Sequence, residues 1–298
     1  MTVLDAFDRF IYDKRLAYLS ESSIRDYSFM LLPFRRFVGD SLPVSELTKE
    51  LVDNYIFSLQ TGTYARSTVS TYVRNLRIFL TYVDSLESLS FSPRKIEIPK
   101  SSKKQAYIYN DEEIVQLFAA VASHSDWLTA RNRAMIALML DSGIRRSEIS
   151  SIQVVDVDFY SGRLKVHGKG DKERFVALGS YSAAFLKKYI SLCPYPIHAN
   201  LFLDTNGSPL SSNAVRLIMT RLSEKVPFPV SAHLLRHNFA TNWCLDQLNA
   251  GQQIDCLVLQ ALLGHESLQT TQIYIHCALA LYAVKSSHSH LDRLSGLV

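Results

Sequence analysis

One stretch near the middle of this sequence limits its fold more than any other. Residues 91–108 (FSPRKIEIPKSSKKQAYI) place two prolines, five lysines or arginines and a serine pair between long helical patterns. Proline lacks the N–H that a helical turn needs and biases the residue before it toward extended backbone, so a helix does not run through such a segment. The stretch predicts a basic linker, assigned to 94–108, between a first domain at 1–93 and a second at 109–298. Its charge suits a segment lying along a DNA backbone, with Lys103 and Lys104 as candidate contacts. A solvated inter-domain linker would have the same composition.

The first domain reads as helices only. Apolar residues at Ile24, Tyr27, Met30, Leu31, Phe34 and Phe37 recur at helical spacing after Ser22-Ser23, which can cap them. A second run follows Ser67: Val69, Tyr72, Val73, Leu76, Phe79, Leu80 and Val83, with Gly39 and Gly62 in the gaps. The second domain opens at Asn110, with Glu113 placed for a capping box. Helical patterns follow at about 111–122 and 130–142, the second stopped by Gly143. Residues 163–167 and 173–178 read as two short strands, with Lys169 in the turn between them. Further helices are expected near 181–191, 212–225, 231–248, 255–263 and from Ser267 toward Ser286. The expected fold class is mainly α with a small antiparallel β-sheet in the second domain.

Composition narrows the setting. The chain has 298 residues, room for two cores, with 47% hydrophobic and 20% charged residues. No apolar run reaches a membrane span, and the opening MTVLDAFDRF carries acids where a secretion signal needs bases, so a cytoplasmic protein is expected. Cys193, Cys244, Cys256 and Cys277 show no CxxC spacing and read as free thiols. A net charge of +4 agrees with a nucleic-acid partner without requiring one.

The chemistry-bearing residues gather late in the chain. Taken singly, each has an ordinary reading. Arg145 follows a helix-ending glycine, where a surface cation is common; Glu148, three residues on, could orient its guanidinium. Lys169 sits in Gly168-Lys169-Gly170-Asp171-Lys172-Glu173-Arg174, a composition that hairpin tips favour anyway. His233 and Arg236 share a helix face. His233 and His237 also form His-x-x-x-His, but the zinc-hydrolase form needs a glutamate between the histidines, and here Leu234, Leu235 and Arg236 intervene. No metal or cofactor is expected. His265 follows Leu262-Leu263-Gly264, and Tyr274 lies nine residues beyond it on a helical pattern.

Together these pieces resemble the tyrosine recombinases, the integrase and Xer class of site-specific DNA recombinases. Ser142-Gly143-Ile144-Arg145-x-Ser147-Glu148 is similar to the family's first box, and His233-x-x-Arg236-His237-x-Phe239-Ala240-Thr241 to its second. Thr270-Thr271-Gln272-x-Tyr274-x-His276 resembles its nucleophile box, and Lys169 stands in what looks like its β-hairpin lysine motif. The resemblance implies a catalytic set of Arg145, Lys169, His233, Arg236, His265 and Tyr274. Tyr274 would attack the scissile phosphate to give a 3′-phosphotyrosyl bond. A tyrosine is only about one part in a thousand phenolate at pH 7, so a base is needed, and His233 is the one implied. Lys169 would protonate the leaving 5′-oxygen, and Arg145 and Arg236 would clamp the non-bridging oxygens. His265 would add a hydrogen bond to the same phosphate. It also implies a core-binding, SAM-like first domain, with Arg66, Arg74 and Arg77 as candidate DNA contacts, and a two-domain C-shaped clamp around double-stranded DNA. Four protomers on two sites would work through a Holliday junction, as a homotetramer or with a second recombinase.

The expected role is integrase or excisionase of a mobile element, with Xer-type chromosome or plasmid dimer resolution as the alternative. Outside this class stand a non-catalytic DNA-binding relative, a type IB topoisomerase and a zinc hydrolase. The interval from Arg236 to His265 is longer than the family pattern, with 248–253 resembling an inserted turn. No arm-type DNA-binding domain is expected ahead of residue 10, which fits the smaller integrase, transposon-recombinase and Xer-like architectures.

Overall fold

A computed structural model describes residues 1–100, 107–168, 172–196 and 199–287. Lys103, Lys104 and Lys169 therefore lie outside the described residues. The chain divides into two compact units, Met1–Lys104 and Gln105–Val298.

The first unit is built from α1 (Val3–Leu16), α2 (Glu21–Val38), α3 (Lys49–Thr61) and α4 (Arg66–Leu86). Each buries one apolar stripe, and Phe10, Leu31, Phe34, Leu76 and Phe79 meet at the centre. The Phe10 ring stands edge-on to Tyr27, Phe79 and Tyr82, with centroids 5.2, 5.6 and 5.2 Å away. Helix α2 is capped by Ser20, whose Oγ accepts from Ser23 N at 3.3 Å, not by the Ser22-Ser23 pair expected from sequence. Phe37, expected on the apolar stripe, is 44% exposed. Helix α4 starts at Arg66, ahead of Ser67, because the Ala65 carbonyl already accepts from Thr68 and Val69.

Part of the expected linker is packed. Pro93–Lys95 forms one 3-10 turn, and Pro93 and Ile96 are buried beside α4, with Ile98 partly so. Ile96 and Ile98 supply apolar surface that the first unit covers.

The second unit centres on α6 (Asp126–Ser142), which is buried on nearly every side. The helix begins before residue 130, with Asp126 exposed in its first turn. Around it lie α5 (Asp111–Ala120), α7 (Arg146–Ser151), α8 (Ser180–Leu192) and α9 (Ser212–Ser223), with α10 (Ala232–Asn249), α11 (Cys256–Leu263) and α12 (Leu268–Ser286) following. Strands β1 (Val157–Asp158), β2 (Arg163–His167) and β3 (Glu173–Ala177) pair antiparallel in that order. Leu164, Val166 and Val176 turn one face of the sheet into the core, the two-residue period of a half-buried strand. Strand β1 is too short to show that period in sequence.

Asn238 on α10 ties down the start of this unit. Its amide donates to the Tyr107 carbonyl at 2.9 Å and accepts from Tyr109 N at 2.7 Å, with the side chain fully buried. A smaller core of Ala240, Cys244, Leu259, Leu263, Tyr274 and Ala278 joins α10, α11 and α12. Of the turn expected at 248–253, Leu248 and Asn249 belong to the end of α10; Gly251 follows at φ +72°, and α11 starts under the cap of Asp255, whose carboxylate accepts from Leu257 N and Val258 N. All four cysteines are free thiols; Cys244 is buried.

Candidate active site

Helix ends and a loop bring the expected residues together. Gly143 ends α6 at φ +61°, in the left-handed region that glycine enters without a Cβ penalty. The chain then turns into α7, with Arg145 at its first boundary. Glu148, one turn in and 2% exposed, accepts the Arg145 backbone N–H at 2.6 Å and its Nη1 at 2.8 Å. The other arm of the Arg145 guanidinium, Nη2, donates to the Gly264 carbonyl at 2.6 Å. Gly264 ends α11, also at φ +61°.

Arg236 projects from the first turns of α10 and is 4% exposed. Its Nη1 donates to the Gly143 carbonyl at 2.6 Å and its Nη2 to the Leu263 carbonyl at 2.7 Å. It thus bridges the ends of α6 and α11. Burial, then the nearby Arg145 cation, lowers its pKa to about 10, which still leaves it charged at neutral pH. His265 lies between Arg236 Nη2, 2.9 Å from its Nε2, and Thr271 Oγ1, 3.0 Å from its Nδ1. Tyr274, 4% exposed on α12, stacks on the His265 ring at 5.9 Å and meets the His237 ring edge-on at 4.7 Å.

These side chains border one cleft of about 620 Å3, lined by Arg145, Arg146, Arg216, His233, Arg236, His265, Thr270 and Tyr274 among others. His233 sits exposed at its edge, whereas His237, one turn further along α10, is buried behind Tyr274 with its Nδ1 3.2 Å from Thr241 Oγ1 on the same helix. Five of the six residues expected from sequence therefore meet; Lys169 lies outside the described residues. Among the described residues no group of three or more His, Cys, Asp or Glu side chains is arranged to hold a metal ion. A cleft walled by arginines, with a tyrosine at its base and histidines beside it, can hold an anionic phosphoryl group against a nucleophile.

Sequence reasoning passed over Arg174. It stands within the quoted Lys-Glu-Arg run but was not singled out. Its guanidinium grips Glu148 with both arms, Nη1 to Oε1 at 2.7 Å and Nη2 to Oε2 at 2.9 Å. Burial alone would raise the Glu148 pKa. Hydrogen bonds from Arg174 and Arg145 outweigh that and hold the carboxyl below the usual carboxylate range. Arg146 and Arg216 were also missed as neighbours of the site.

In the first unit, Arg66 and Arg74 are exposed on α4. Arg66 shares a cleft of about 370 Å3 with Gln60, Tyr64, Val69, Pro99 and Lys100. Arg77 is partly buried, its Nη1 3.5 Å from the Ile96 carbonyl, so it is less free to reach a ligand than the other two.

Comparison with known proteins agrees with this geometry. Residues 108–280 match the phage integrase family, and residues 6–88 match the N-terminal SAM-like domain of phage integrases. The chain is 35% identical over 271 residues to the tyrosine recombinase XerC of Halalkalibacterium halodurans, covering 86% of this chain and 87% of that protein. It is 31% identical over 239 residues to XerC of Lacticaseibacillus casei, covering 77% and 78%. Among solved structures, the XerH recombinase in its post-cleavage complex with a palindromic difH substrate superposes with a TM-score of 0.70 at 24% identity, over 89% of this chain and 79% of that one. A lambda integrase (75–356) dimer bound to a COC′ core site gives 0.73 at 18% identity, over 92% and 95%. In these two the likeness is one of fold. With its helical units, its three-stranded sheet and its arginine-walled tyrosine cleft, the chain belongs to the phage integrase family of tyrosine recombinases, enzymes that cleave and rejoin DNA.

Proposed function

We propose that this chain carries out site-specific recombination with Tyr274 as nucleophile. The observation that carries the reading is the convergence of Arg145, His233, Arg236, His265 and Tyr274 on one cleft. In the first step the Tyr274 oxygen bonds to phosphorus while the bond to the 5′-oxygen breaks. The phosphate stays on the 3′ end, joined to Tyr274. The phenolic proton goes to His233, and the departing 5′-oxygen takes a proton from Lys169. Arg145 and Arg236 offset the charge that builds on the non-bridging oxygens. The phosphotyrosyl bond keeps the energy of the phosphodiester, so a 5′-hydroxyl from another strand can reverse the step without a nucleotide. Because Arg236 only donates, His265 first serves to hold that guanidinium; a hydrogen bond from His265 to the phosphate requires its Nε2 to gain a proton.

In this reading the two units clamp double-stranded DNA, with Arg66 and Arg74 on its backbone, and four protomers join two sites through a Holliday junction. The mobile-element role remains the reading of the sequence. Similarity to XerC proteins across most of both chains favours a second role, resolution of chromosome or plasmid dimers. Deleting the gene separates the two: accumulation of DNA dimers supports resolution, and arrest of an integrated element supports excision.

The chemistry is tested on nicked duplexes, from which the cleaved 5′ fragment diffuses away and traps the covalent adduct. Peptide mapping should find the adduct on Tyr274, and Tyr274→Phe should bind DNA without forming it. An adduct that persists in Tyr274→Phe would move the nucleophile elsewhere. Relaxation of supercoiled DNA irrespective of sequence would instead favour a topoisomerase.

A further inference from the structure

We propose that Arg174 is a positioning residue for the phosphate clamp. On this proposal it sets the Arg145 guanidinium through Glu148 and fixes the loop bearing His265 through the Leu262 carbonyl. The inference rests on the recombinase reading above. Arg174 is on β3, 12% exposed, and does not border the cleft. Its fork is committed elsewhere: two arms to the Glu148 oxygens, and Nε to the Leu262 carbonyl at 2.8 Å.

Glu148 is the shared part. Its Oε1 takes Nη1 from both Arg174 and Arg145, and its Oε2 takes Nη2 of Arg174 and the Arg145 backbone N–H. One carboxylate thus divides four bonds between two guanidinium-bearing residues. With Arg174 in place, Glu148 holds only one side-chain arm of Arg145, and Arg145 stays 35% exposed toward the cleft. Without it, both carboxylate oxygens are free to compete for the Arg145 fork and draw it away from the phosphate position.

The same guanidinium also meets the loop after α11. A Cβ on Gly264 would lie 3.1 Å from Arg174 Nη1, so the glycine that precedes His265 packs directly on it. The Gly264 carbonyl in turn receives Arg145 Nη2. Arg174 therefore couples the β-hairpin, the start of α7 and the His265 loop. Lysine cannot replace this arrangement, because a single ammonium has no planar fork for two oxygens and no Nε for Leu262.

The test uses the full chain and a nicked duplex that the unaltered chain itself recovers as a covalent adduct from a random-sequence pool. Arg174→Lys should melt cooperatively and bind this duplex within about twofold of the unaltered chain, yet form adduct about tenfold or more slowly, as loss of a charge-assisted bond would give. Because Arg174 acts in part through Arg145, adding Arg174→Lys to Arg145→Ala should slow the reaction by clearly less than Arg174→Lys does alone. A methylphosphonate at the cleaved position, which removes one phosphate charge, should speed both single variants relative to the unaltered chain. Equal rates for Arg174→Lys and the unaltered chain, or rate losses that multiply in the double variant, would overturn the proposal.

A DNA-free measurement reads the same coupling. The 15N resonance of Arg145 Nε, assigned by its absence in Arg145→Ala, should move further from that of a free arginine in Arg174→Lys, as the Glu148 carboxylate takes more of the Arg145 fork. An unmoved resonance overturns the proposal. If the unaltered chain forms no adduct, the role of Tyr274 fails, and this resonance still decides that of Arg174. Should Arg174→Lys fail to fold, Arg174→Gln combined with Glu148→Gln removes both charges together. That pair should remain slow, and cleavage at the unaltered rate would sink the idea.

Discussion

Arg236 Nη2 lies 2.9 Å from His265 Nε2, and that one contact fixes the state of the imidazole. A guanidinium can only donate, so Nε2 is an unprotonated acceptor. The proton of the neutral ring is then on Nδ1, where it donates to Thr271 Oγ1 at 3.0 Å. Burial first, and then Arg236, Arg145 and Arg174, push the His265 pKa down to about 4.

The first prediction is a pH dependence of stability. A histidine whose folded pKa is depressed binds its proton more readily in the unfolded chain. Its contribution is fully present above the unfolded value of about 6.5 and is lost as pH falls toward 4. Thermal melts should therefore fall across that window with a slope corresponding to as much as one proton. His265→Gln should flatten this part of the profile while leaving the region above pH 7 parallel. An unchanged profile would show that the ring is free to protonate in the folded chain.

Gly143 makes a sharper claim about packing. A Cβ there would lie 2.2 Å from Phe239 Cδ1, and φ is +61°. The backbone penalty and the overpacking together should cost about 2–5 kcal/mol in Gly143→Ala, read by denaturant unfolding. Because the Gly143 carbonyl is an Arg236 acceptor, cleavage should suffer as well. Adding Phe239→Ala should relieve the steric part only. If Gly143→Ala unfolds like the unaltered chain, the α6 end is not packed as described.

These two positions also show what the sequence could and could not reveal. Gly143 and Gly264 were legible as helix stops because a left-handed cap leaves a residue-type signature. The capping box at Asn110 and Glu113 was legible for the same reason, and both backbone N–H bonds form at 2.9 Å. Tyr274 and the paired His233 and Arg236 were found through their resemblance to the recombinase boxes. Arg174 was not, because its partner Glu148 lies 26 residues away and its third acceptor, Leu262, lies 88 away. A lysine-arginine hairpin run looks like a solvated tip until those partners fold onto it. The packing of Ile96 was hidden likewise: burial by a neighbour distant in sequence leaves no local period.

Metal dependence gives a third prediction. Arginine forks and a lysine proton donor would together supply the charge stabilisation and leaving-group protonation that a divalent ion supplies elsewhere. Adduct formation and rejoining should proceed in excess EDTA and without nucleotide. Activity lost in EDTA and restored by zinc or magnesium would contradict the proposed mechanism and would return attention to His233 and His237.

The leaving group gives the last prediction. Lys169 is placed by the sequence motif in the hairpin turn, and its assigned task is to protonate the 5′-oxygen. An alkoxide is a poor leaving group without that proton, so Lys169→Ala should cleave an ordinary phosphodiester very slowly. A bridging 5′-sulfur departs as a stable thiolate and needs little help from an acid. The defect of Lys169→Ala should therefore shrink sharply on the sulfur substrate. Arg145→Ala should stay slow on both, because its loss leaves the non-bridging oxygens unsupported whatever atom departs. Equal rescue of the two variants, or no rescue of Lys169→Ala, would show that Lys169 is not the acid. It would then act only as a contact to the DNA backbone, and its loss would weaken binding and lower the salt dependence by about one phosphate's worth.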